Sequence, residues 1–140
     1  MVMVLVGILA IAIIPRFVGV QTFNARGFFD QSTAMVRYAQ KVSIAQRRDV
    51  FVNIDATTGN ICLTYVADAS CSSLVNTVNN PADQTRFLKT APAGVTFGAS
   101  LSFSFKALGS PNPNNAKTIS LTGDGATNTI TVERETGYVH

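Results

Sequence analysis

The first forty-eight residues place the tightest limit on what this chain can fold into, because they read as one long helix crossing two environments. Met1 to Ile14 (MVMVLVGILAIAII) is uncharged and apolar throughout, with Gly7 its one small break. Pro15-Arg16 closes that run, and Phe17 to Arg48 changes character. There, apolar residues recur at Phe28, Met35, Ala39 and Val42, the rhythm of a helix with one buried face. Arg26, Asp30, Arg37, Lys41 and Arg48 fall on the opposite side. A helix that is apolar all round and then amphipathic passes from a lipid-like setting into water. At about 1.5 Å per residue it would be roughly 70 Å long, more than a small head can cover.

The apolar run is short for a membrane span. Its fourteen residues make about 21 Å of helix against a hydrocarbon core of ~30 Å. A signal peptide would carry a basic n-region and a small-residue cleavage site, and neither is present. A buried core helix would need apolar partners on every side, which a chain of this size can hardly supply. The expectation is a membrane segment that lacks its start. It divides the chain into an apolar membrane or filament-core helix, 1–20, and an amphipathic helix with a β-rich head, 21–140.

The stretch MVMVLVGILAIAIIPRF resembles the N-terminal segment of type IV pilins and type II secretion pseudopilins. Members of that family begin with a basic leader ending in Gly, a Phe at the cut and an acidic residue within the next turn. An apolar run follows, with Gly and Pro spaced as Gly7 and Pro15 are here. By that register the leader, the cleavage site and the acidic residue would sit upstream of Met1, as after a start codon assigned too late or a clipped N terminus. The resemblance implies assembly through the helix, at Gly7, Pro15 and Phe17, and N-terminal methylation. It also implies a bacterial inner-membrane protein with a periplasmic head, periplasmic or extracellular after assembly.

Charge is unevenly placed. Residues 16–48 hold six Lys/Arg against one Asp, 6 − 1 = +5, and residues 49–140 hold five Lys/Arg against seven Asp/Glu, 5 − 7 = −2. A basic segment beyond a membrane helix serves anionic lipid, neighbouring subunits or nucleic acid, or is simply a solvated face, which is the plainer reading. The two cysteines, Cys62 and Cys71, have no third Cys and no nearby His, which argues against a metal site. In an exported head they would form one disulfide and in a cytosolic protein they would remain thiols. The pilin resemblance implies export, and with it the disulfide.

The rest of the chain reads as short strands. The helix should end near Arg47-Arg48. Asp49–Asp55 and Asn60–Val66, joined by Ala56-Thr57-Thr58-Gly59, form a predicted β-hairpin. Ala67–Gln84 is polar and reads as a long exposed loop. Arg86–Thr90, Val95–Gly98 and Leu101–Leu108 follow as extended segments. In the last, Leu101, Phe103 and Phe105 take one face, and Ser102, Ser104 and Lys106 the other. Gly109–Asn115 is a cluster of breakers, and Thr118–Leu121, Asn128–Glu133 and Tyr138–Val139 complete the set. The fold class is therefore α+β, a long N-terminal helix packed on a small antiparallel sheet one layer deep. Arg37–Gln40 running into a hairpin, the Phe105–Gly109 turn and the terminal Ile130–Val139 resemble the minor pilins and pseudopilins of the GspH/FimT type.

Chemistry is sparse. His140 is the single histidine and the last residue, where chains are usually mobile, so a Ser-His-Asp arrangement is not expected. Asp83, Asp124, Glu133 and Glu135 are scattered, and Gly123-Asp124-Gly125 is a turn without the helix a phosphate cradle needs. The sequence therefore carries no catalytic residues, no metal site and no cofactor, and reads as a non-enzymatic filament subunit whose partners are other pilin-like subunits and inner-membrane lipid. The runner-up is a DNA-binding tip subunit using Arg37, Lys41, Arg47 and Arg48. A distant third is a soluble periplasmic binding module.

Overall fold

The computed structural model describes Met1–His140, except for the side chains of residues 9–20. One helix, α1, spans Val2–Gln46 and is about 68 Å long. Its end is set by Arg47, held in the left-handed conformation (φ 51°, ψ 43°), while the Arg48 N–H returns to the Ser43 carbonyl at 3.2 Å. That is the reversed turn with which helices commonly satisfy their last carbonyls, here without the usual glycine.

Eight strands follow: β1 (Val50–Asp55), β2 (Asn60–Thr64), β3 (Leu88–Thr90), β4 (Val95–Phe97), β5 (Leu101–Phe105), β6 (Pro111–Asn112), β7 (Lys117–Gly123) and β8 (Ala126–Val132). They form two sheets where the sequence suggested one. The first runs β3-β2-β1-β5-β6 and the second β4-β7-β8, with every pairing antiparallel. In the β7–β8 hairpin Gly123 pairs with Ala126, leaving Asp124-Gly125 as a two-residue turn with φ of 52° and 72°. Positive φ at both central positions is the turn whose twist matches paired strands, and Asp-Gly supplies it.

Both sheets share one core with α1. Phe28, Met35, Val36, Ala39 and Val42 of the helix meet Val50, Val52, Ile54, Ile61, Leu63, Phe103 and Phe105 of the first sheet. The same cluster takes in Phe97, Ile119, Leu121, Ile130 and Val132 of the second. Phe28 meets Phe97 edge-on at 5.8 Å, and Tyr38 meets Phe87 at 5.5 Å, so the helix is fixed to both sides of the head by aromatic pairs.

Three expectations need correction. Ser104 belongs to the supposed solvent face of β5 yet is buried, as is Asn53 on β1, because the segment after β2 folds over that face. Within Ala67–Gln84, Val78 is 2% exposed and bonded on both sides, its N–H to the Leu63 carbonyl and its carbonyl to the Phe87 N–H. A single apolar residue among Asn and Thr shows no period, so this inner rung is invisible in the sequence. His140 is tied down, exchanging both backbone hydrogen bonds with Thr131 at 2.8 and 3.0 Å. The assembly roles expected of Pro15 and Phe17 concern side chains outside the described residues.

Candidate assembly surface

Among the described residues the head covers one stretch of α1. From Phe28 to Ser43 the helix has a buried stripe, while Met1 to Ile8 is exposed on every side chain. A Cβ built on Gly7 would meet nothing within 4 Å, so nothing in the chain itself occupies the space beside it. Among the described residues no helix is long and apolar enough to cross a membrane. Phe23, 83% exposed, stands where the head begins. There the hairpin tip closes on the helix: Asp124 accepts a hydrogen bond from Thr22, and Gly123 packs beside Ala25.

At the other end of the buried stripe three distant segments meet. Arg37 donates from Nε and Nη2 to the Val139 carbonyl at 3.2 and 3.1 Å. Gln40 Nε2 donates to the carbonyls of Gly109 (3.0 Å) and Thr136 (2.9 Å). Gly137, at φ 68°, lies so near Gly109 that a Cβ there would stand 1.9 Å from the Gly109 oxygen. Arg37–Gln40, Phe105–Gly109 and Ile130–Val139 thus form a single joint between the helix and both sheets.

The joint also decides the fate of the basic residues. Arg37 is held by Val139, and the Arg48 guanidinium lies 3.6 Å over the Tyr65 ring. Lys41 and Arg47 stay exposed. Of the four candidates for a nucleic-acid contact, Arg37 and Arg48 thus already have partners within the fold.

The scattered carboxylates likewise serve turns and the chain end. Glu133 faces the His140 ring at 2.9 Å, and that ring stacks on Tyr138, while Glu135 pairs with Arg134 at 2.9 Å. The Thr58 hydroxyl, helped by backbone N–H groups, holds the Asp55 carboxyl below its usual range, and the Thr85 hydroxyl does so for Asp83. At Asp68 burial pushes the other way, but hydrogen bonds from the Ser73 N–H and the Ser70 hydroxyl outweigh it and the pKa falls. Among the described residues no His/Cys/Asp/Glu group could hold a metal ion.

Asp68 organises a cap over the far face of the first sheet. Cys62 on β2 is bonded to Cys71 in this cap, with Cα atoms 5.8 Å apart. Beneath it the fully buried Asn53 donates to Thr64 Oγ1 (2.7 Å) and accepts from Ser102 Oγ (2.7 Å) and the Asp68 N–H (3.2 Å). Closing so short a loop stabilises by roughly 2–3 kcal/mol in the chain-entropy account.

No protein-family model matches the sequence, and no curated protein does, but solved structures resemble the fold. Type IV minor pilin FimU of Pseudomonas aeruginosa superposes with a TM-score of 0.61 at 16% identity, covering 87% of each chain. The minor pseudopilin EpsH of the Vibrio cholerae type 2 secretion system gives 0.63 at 13% identity, over 84% of this chain and 94% of that one. The fold is that of the minor pilins and pseudopilins.

Within this pilin fold the sequence had marked Phe28, Met35, Ala39 and Val42 as the helix core. It missed Val36 and the buried hydroxyls of Ser32 and Ser43, which widen the stripe. It also missed Gln40 as the joint's second donor, since a half-exposed glutamine carries no sign that its amide reaches two backbone carbonyls.

Proposed function

We propose that the chain is a structural subunit of a type IV pilus or a type II secretion pseudopilus, acting by helix-mediated assembly and by no chemistry of its own. The carrying observation is the contrast along α1: one stripe is sealed by the head, while Met1 to Ile8 is apolar and uncovered in a fold like that of FimU and EpsH. Residues 1–20 sit in the inner membrane before assembly and in the filament core afterwards. The head, residues 21–140, lies in the periplasm or outside. Its partners are other pilin-like subunits, and lateral burial of apolar helix surface against them replaces lipid contact.

The test is Gly7→Leu in the full-length chain. A side chain at Gly7 meets nothing within the chain but keeps neighbouring helices apart. Membrane insertion and the head's circular dichroism should be unchanged, while filament assembly or secretion falls at least about tenfold, the equivalent of roughly 1.4 kcal/mol. Asp83→Ala, Glu135→Ala and His140→Ala should assemble normally. Full assembly by Gly7→Leu, or loss of function in one of those three with filaments intact, would overturn the proposal.

A further inference from the structure

Where the helix enters the head, its outer side carries a groove that the chain itself leaves empty. The groove is lined by Thr22, Phe23, Arg26, Gly27 and Asp30. Phe23 stands 83% exposed beside it, and a Cβ at Gly27 would meet nothing within 4 Å. Glycine inside a helix is less stable than alanine, and packing within the chain gives no reason for it here. Arg26 and Asp30, one turn apart, stand at the same groove, and among the described residues neither makes a salt bridge. A bulky apolar knob, a hole and two unpaired opposite charges thus share one face.

We infer that this face binds a second copy of the same chain, with the two helices parallel and offset by four residues. Phe23 of one copy then lies over Gly27 of the other, and the same offset sets Arg26 of the first against Asp30 of the second. Both pairings need one axial shift of about 6 Å. In the reverse direction that shift carries the second copy's Phe23 to position 19 of the first, also a glycine in the sequence. An antiparallel pair placing Phe23 on Gly27 would instead bring Arg26 opposite Asn24 and leave both charges unmatched. The charge pairing and the single shared offset therefore select the occupant and its direction. The inference rests on the filament reading and gives it a register.

The experiment uses the full-length chain in detergent micelles. All native cysteine is in the Cys62–Cys71 bond, so introduced thiols report alone. Mixed Phe23→Cys and Gly27→Cys chains should cross-link under mild oxidation, and neither variant should cross-link to itself, because disulfides need Cα atoms within about 7 Å. In parallel, Arg26→Asp and Asp30→Arg should each weaken self-association, measured by sedimentation, at least about tenfold. The two reversals together in one chain should restore it, which a role within the monomer would not predict. Self-cross-linking of Phe23→Cys, no cross-link in the mixture while the parent chain sediments as an oligomer, or unchanged sedimentation of the single reversals would each overturn the inference. If those fail while Gly7→Leu still abolishes assembly, the register is wrong and the filament reading stands. If Gly7→Leu also has no effect, both fall.

Discussion

Gly137→Ala measures how much of the fold depends on the joint at the C-terminal end of the helix. Gly137 sits at φ 68°, where an L residue with a Cβ loses about 1–2 kcal/mol relative to glycine. The added carbon would stand 1.9 Å from the Gly109 oxygen and 2.7 Å from Gln40 Nε2, so the two turns must separate by about 1 Å before it fits. Separation lengthens the Gln40 hydrogen bonds to Gly109 and Thr136 and pulls on that of Arg37 to Val139. Losing about 1 kcal/mol for a neutral bond, and more for the charged one, brings the total to about 3–5 kcal/mol. Gly125→Ala is the control: its φ is 72°, but its Cβ would meet nothing within 4 Å, so only the backbone penalty remains. At roughly 3 °C per kcal/mol for a chain of this size, Gly137→Ala should melt about 10–15 °C below the parent and Gly125→Ala about 3–6 °C below. Thermal unfolding followed by circular dichroism gives both values. Equal losses would show that Gly137 is not pressed on Gly109 and that the joint bears no load.

A chain beginning at residue 21 should remain folded and soluble, since Phe28, Met35, Val36, Ala39 and Val42 stay in place, and an unfolded far-ultraviolet spectrum would refute the division of the chain at residue 20. Asn53→Leu should destabilise by about 2–4 kcal/mol, because Thr64, Ser102 and the Asp68 N–H lose a buried partner together; denaturant midpoints will show it, and a loss below about 0.5 kcal/mol would refute the network. Asp55, Asp68 and Asp83 all bind their protons less tightly folded than unfolded, so their contribution is complete above the ordinary carboxylate value of 3.8 and is lost as pH falls through the lower folded values. Stability should therefore be flat from pH 7 to pH 5 and decline below pH 4, and replacing Asp68 by Asn should flatten that decline.

How much of this was legible in the residues depended on periodicity. The helix core could be read because Phe28, Met35, Ala39 and Val42 repeat at helical spacing, and the β1–β2 hairpin because Val50, Val52 and Ile54 alternate before Thr58-Gly59. Alternation failed at β5 because it assumes one wet face. Ser104 and Asn53 have polar side chains on what should be that face, and an aperiodic cap covers them. The division into two sheets was equally hidden, since strand lengths and turns are the same whichever sheet a strand joins. The partners of the basic residues were hidden for another reason: charge is visible in a sequence, but the acceptor of Arg37 and the ring beneath Arg48 are brought there only by the fold.

The joint suggests how such a fold persists at 13–16% identity. Arg37 and Gln40 bond to three backbone carbonyls, those of Val139, Gly109 and Thr136. A backbone carbonyl is supplied by any residue, so the side chains at positions 136 and 139 are not fixed by these bonds. Only the donors and the two close-packed glycines are constrained, and the core elsewhere asks for apolar volume more than for identity. The far side of the helix is under a different constraint. Its exposed Phe23 and open Gly27 do nothing for the isolated chain, and glycine there costs helix stability. Residues that weaken the monomer yet stand uncovered on the helix are explained by what they meet after the head has folded.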